Sequence, residues 1–214
     1  MTRPRDELIR QLVDELTPAP RLASARVAAS IWLAACLSLV ALATLSTGSL
    51  RPGVARQLVS EPGFGMDLLL GVCAAAAAIL GLMRLRIPGL VFAWSAAAPA
   101  LALGLAWAAW QLLEGSAETG PPSMLGKREG CSFEILLFSL LPLAAALVVA
   151  RRAAPLERAW TGLLAGLAAG ALPALAMQLA CLDDPLHQLT RHLAPVLVMA
   201  GMGALLGRLA LRRF

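Results

Sequence analysis

Residues 132–150 read SFEILLFSLLPLAAALVVA. One carboxylate, Glu134, stands near the start, and everything after it is apolar or small around the whole circumference of a helix. A helix rises about 1.5 Å per residue, so a run of this length reaches across most of a hydrocarbon core about 30 Å thick. A helix on the surface of a water-soluble protein keeps a polar face, and this stretch has none. It reads as a transmembrane helix.

Five further runs have the same character, at 27–45, 66–83, 87–113, 159–180 and 193–211. The bulk composition agrees. Hydrophobic residues make up 59% of the 214, charged residues only 14%, and mean hydropathy is +0.75. A soluble domain carries about 25% charged residues. So few charges cannot clothe a water-facing surface, and lipid is the implied solvent. The chain therefore reads as an all-α polytopic membrane protein with six transmembrane helices. Residues 1–26 form an N-terminal segment, and 27–214 form the membrane domain. The leader contains Asp6, Glu7, Asp14 and Glu15 and shows no small-residue cleavage site. The first helix is accordingly expected to stay in the membrane.

Charge placement predicts direction. The net charge is +5, and every basic residue except Lys127 is arginine. With the N-terminus inside, the inner segments hold Arg3, Arg5, Arg10, Arg21 and Arg26, then Arg84 and Arg86, then Arg151, Arg152 and Arg158, then Arg208, Arg212 and Arg213. The outer segments hold only Arg51, Arg56, Lys127, Arg128 and Arg191. The positive-inside rule then puts both termini in the cytoplasm. Basic clusters between apolar runs act as topology signals, and no direct nucleic-acid contact is expected.

Inside the leader, Leu8, Ile9, Leu12, Val13 and Leu16 form one apolar stripe at helical spacing. Thr17 and Pro18 end that helix, because a proline disfavours helix in the residue before it. The stripe has no soluble domain in its own chain to pack on. It either lies on the membrane surface or docks in the groove of a cytoplasmic partner. Membrane-surface helices favour a cationic polar face. The acidic bias here favours the protein partner.

Gly162, Gly166 and Gly170 repeat every four residues, and Gly203 and Gly207 repeat the spacing in the last run. Such stripes allow close approach of helix backbones, here between the fifth and sixth helices or with another copy. Prolines 99, 142, 173 and 195 fall within the spans, where neighbouring helices can satisfy the carbonyls they free.

Four cysteines divide by depth. Cys36 and Cys73 lie mid-span and read as packing. Cys131 opens the fourth span and Cys181 closes the fifth, so both are expected at the outer face. Three chemistries stay open for that pair: a stabilising disulfide, a thiol switch, or a soft-metal site using Cys131 and Cys181. Asp183, Asp184, His187 and His192 follow closely and offer ligands that would complete such a site, but their spacing matches no zinc signature, and histidines so placed read more readily as solvated loop residues. Asp67 and Glu134 read as boundary carboxylates that reach the headgroups. There is no phosphate-binding glycine loop, no HExxH and no GxSxG, so no enzyme and no cofactor is expected.

These residues resemble the NrsF-type membrane anti-sigma factors, six-span negative regulators of extracytoplasmic-function sigma factors of the sigma-F kind. The likeness is carried by the leader DELIRQLVDELTPAP (6–20), by GCSFEILLFSLLPL around Cys131, by Gly162–Gly170, and by CLDDPLHQLTRHLAPVLVMAGMGALLGRLALRR from Cys181 onward. Ala180, Cys181, Leu182 and Asp183 stand where the family often has His-Cys-Pro-Glu. The resemblance implies that the leader holds a sigma factor at the inner membrane. It also implies that an oxidant or heavy-metal stress read at Cys131 and Cys181 releases it. The rival reading is a small membrane transporter or metal exporter, which calls for polar or broken helices near the midplane.

Overall fold

The computed structural model describes residues 4–15, 23–47, 50–115, 130–182 and 184–211. It is all-helical over these residues. Helix α1 covers Pro4–Asp14 and precedes the bundle. The spans are α2 (Ala25–Thr47), α4 (Pro62–Leu85), α5 (Ala93–Gly115), α6 (Cys131–Arg151), α7 (Arg158–Ala180) and α8 (Pro185–Ala210). A seven-residue helix, α3 (Val54–Ser60), lies between the first two. Among the described residues six helices are long and apolar enough to cross a membrane.

The bundle is dressed for lipid. Leu42, Leu45, Leu105, Phe133, Leu141 and Leu197 are largely exposed on its outside. In water that surface would be costly; against acyl chains it is not. Much of the interior is made of small residues, beside larger ones such as Phe64, Leu82 and Met177. Ala97, Ala146, Ala165, Ala168 and Ala169 are buried and let the helices approach closely. Helix α7 is the most buried of the six and touches α2, α4, α5, α6 and α8, its longest contact being with α8.

Successive spans run in opposite directions, which gives the bundle two ends. The near end holds the start of α2, where Arg86 Nη2 donates to the Ala23 carbonyl at 2.8 Å. The far end holds the end of α7 and the starts of α4, α6 and α8. Trp32 Nε1 ties α2 to α6 by donating to the Pro142 carbonyl at 3.1 Å.

Two spans begin elsewhere than hydropathy suggests. The third starts at Ala93 rather than 87, because Pro88 disfavours helix at Ile87 and Gly89 turns the chain at φ +74°. The sixth starts at Pro185, eight residues before the expected 193. The Asp184 side chain accepts from the His187 N–H at 2.6 Å, and Pro185 occupies the first turn. Together they form an N-cap and an N1 proline.

Candidate functional site

The sixth span contains a π-helical stretch, Gln188–Leu193. In an α-helix, residues five apart point about 140° away from each other. A π stretch turns less per residue and pairs i with i+5. His187 and His192 are thereby brought to one face, with ring centroids 5.2 Å apart in an edge-on arrangement. The distortion has a visible support. Pro195 has no N–H to offer the Arg191 carbonyl four residues back. Ser132 Oγ, from the first turn of α6, donates to that carbonyl instead at 3.1 Å.

That same contact seats Cys131 beside the π stretch. Cys181 is the C-cap of α7, its N–H bonded to the Met177 carbonyl. The two Sγ atoms lie 3.0 Å apart. One ligand atom each from Cys131, Cys181, His187 and His192 falls within 4.8 Å of all the others, and all four residues are buried. The thiols predicted at equal depth are therefore adjacent, across 50 residues of chain.

The histidines differ from expectation. They are not solvated loop residues: His187 and His192 are turned into the bundle, and His192 is 0% exposed. Neither ring nitrogen of His192 has a hydrogen-bond partner among the described residues. A buried imidazole with nothing to bond is costly unless something occupies the space it faces. The Asp184-Pro185 helix start does carry a signal in the sequence that they lie on a helix, though none that they turn inward. Read that way, His187 and His192 belong to a helix and not to the loop.

Asp67 also departs from expectation. It does not reach outward; it is 1% exposed and sits inside the far end. Trp107 Nε1 donates to its Oδ1 at 2.6 Å, Gln111 Nε2 donates to the same oxygen, and Gln178 Nε2 donates to Oδ2 at 2.8 Å. Both carboxylate oxygens accept, and they gather donors from α5 and α7 onto α4. Gln178 lies one turn before Cys181, so the network holds the end of α7 that carries the thiol.

The remaining predicted residues lie elsewhere. Leu8, Ile9, Leu12 and Val13 are about half exposed on α1, and Leu16 lies outside the described residues. Asp183 also lies outside them. Cys36 is buried mid-span and Cys73 partly so, neither in the four-residue group at the far end. Gly162 and Gly166 face Gly203 and Gly207 across α7 and α8, and Gly170 faces Val196 and Met199. A Cβ on Gly166 would run into the Met199 carbonyl, and one on Gly162 into that of Gly203.

No curated protein and no solved structure matches the chain. One family model matches it, over residues 12–212, which is nearly its whole length. This chain of six apolar spans, with its cysteine pair at the far end, belongs to the NrsF family, negative regulators of sigma F.

Proposed function

We propose that the chain holds an extracytoplasmic-function sigma factor at the bacterial inner membrane through α1 and releases it when the chemistry of Cys131 and Cys181 changes. The observation that carries this reading is the exposed stripe of α1, in a chain matched to negative regulators of a sigma factor. Leu8, Ile9, Leu12 and Val13 leave an apolar face open on a helix of 11 residues, a length that is marginal in water without a surface to pack on. Docking into a groove would bury that face and order the helix, with Leu16 continuing the stripe. The near end then faces the cytoplasm, in keeping with the arginine bias, and the thiols face the periplasm. An oxidising compartment on that side suits a thiol signal. The signal works only if it interacts differently with the holding and releasing states.

Leu8→Asp with Leu12→Asp tests the docking helix. Each buried leucine contributes about 1.5–3 kcal/mol, so losing two weakens the complex at least about 100-fold. A reporter driven by the sigma factor should rise to the level seen without the protein, while membrane content stays unchanged. Full repression by this variant would defeat the docking role. Cys131→Ser with Cys181→Ser should repress normally at rest and fail to induce under cadmium or oxidant. Normal induction in that double variant would remove the thiols from the mechanism.

A further inference from the structure

We propose that His187 and His192 complete, with Cys131 and Cys181, a four-ligand site for a thiophilic divalent cation of the zinc type, Zn2+ or Cd2+. The inference deepens the reading above and rests on it for its regulatory meaning; binding itself is tested separately.

Three observations converge. The first is geometry. A tetrahedral ion with metal–nitrogen distances of about 2.0–2.1 Å and metal–sulfur distances near 2.3 Å places its ligand atoms roughly 3.3–3.8 Å apart. The four candidate atoms lie within 4.8 Å of one another, with the sulfurs at 3.0 Å. Loading asks for the sulfurs to part by somewhat under ~1 Å and the nitrogens to draw in by at most ~1.5 Å at any edge. Rotamer adjustments supply shifts of that size.

The second is the buried imidazole of His192, fully enclosed with both nitrogens unpartnered among the described residues. Its ring is held by its place on the π stretch, beside His187 and opposite the thiols. A cation would turn an unfavourable buried group into a ligand.

The third is charge. Binding removes one proton from each thiol, so M2+ and two thiols give a neutral M(S)2(imidazole)2 unit and two protons leave to solvent. The neutral unit is what a low-dielectric site tolerates, since a buried net charge is costly. Thiolate and imidazole ligands favour zinc and cadmium over the oxygen-seeking magnesium and calcium. The ligands come from α6, α7 and α8, so a bound ion would clamp the far ends of three helices together.

The test uses the full chain, purified in detergent with its thiols reduced. Cadmium titration should give one equivalent bound, with a cadmium–thiolate charge-transfer band. His187→Ala with His192→Ala should weaken binding at least about 100-fold, a loss of about 2.7 kcal/mol or more. His192→Gln keeps polar bulk and serves as the folding control, expected to unfold at the wild-type temperature yet bind more weakly. X-ray absorption on the zinc-loaded wild type does not depend on any variant. It should show two sulfur neighbours and the multiple scattering of two imidazoles. Absence of imidazole scattering, cadmium affinity within about threefold of wild type in the double-histidine variant, or no binding to the reduced wild type would each overturn the proposal. Binding that needs both histidines but leaves the sigma factor held in loaded membranes would keep the site and overturn its role as the signal.

Discussion

Asp67→Leu should be the most damaging single substitution in the membrane domain. It leaves Trp107 Nε1, Gln111 Nε2 and Gln178 Nε2 without their acceptor inside the bundle. Hydrogen bonds between membrane helices average about 0.6 kcal/mol, because the unfolded chain in the bilayer also finds partners. A buried donor left unsatisfied costs about 1–3 kcal/mol. Three of them put the expected loss between about 2 kcal/mol, at the membrane average, and about 9 kcal/mol, at the full cost of three unsatisfied donors, a large part of what holds a small domain together. Asp67→Asn should be far milder. Its amide oxygen can still accept from Trp107 and Gln111, and its NH2 can donate to Gln178 once that amide flips and presents Oε1. That oxygen has no hydrogen-bond partner among the described residues, so the flip forfeits nothing. Thermal unfolding of the purified chain checks the ranking. Equal losses for Leu and Asn would mean that the charge matters and the hydrogen-bond pattern does not.

Gly166→Val should separate α7 from α8. Any Cβ there meets the Met199 carbonyl and comes within 2.8 Å of the Ala200 Cα, both backbone, which no side-chain rotation relieves. The helices must move apart, and the close packing along the seam from Gly162 to Gly170 goes with them. Overpacking costs about 1–3 kcal/mol where side chains can yield, and more is expected where backbone must. The seam also predicts a gradient. A Cβ on Gly170 would lie 3.1 Å from the Val196 Cα, so Gly170→Ala should cost less than Gly166→Ala. Gly201 faces open space, and Gly201→Ala should be neutral or gain up to about 1 kcal/mol of helix propensity. Midpoints that fall equally for all three alanine variants would refute a specific seam. Under the proposed switch, loss at Gly166 should also blunt release, since this contact runs from the thiol end of α7 toward the near end.

Much of this architecture is legible one helix at a time. The apolar runs are continuous, and the positions of Cys131 and Cys181 at matching ends of adjacent spans follow from counting. The regular spacing of Gly162, Gly166 and Gly170 marks a close-packing face without saying which helix meets it. Apart from the start of the third span, the departures concern polar residues near a membrane boundary. Asp67 looked like a headgroup-reaching carboxylate because its acceptor role depends on Gln111 and Gln178, which are 44 and 111 residues away. His187 and His192 resemble loop residues in a hydropathy reading because their polarity masks the cap signal at Asp184 and Pro185. Their spacing of five fits no α-helical face, and only the π stretch aligns them.

From sequence alone came the six spans, their alternating direction and the depth of each cysteine. Hydropathy compares each segment with lipid independently of its neighbours, so a local pattern suffices for those. The tertiary structure alone decided that Asp67, His187 and His192 turn inward, and that the two histidines meet the two thiols. Whether a polar side chain faces headgroups or the bundle depends on what the adjacent helices offer it, and that is a property of packing which no single stretch of chain contains.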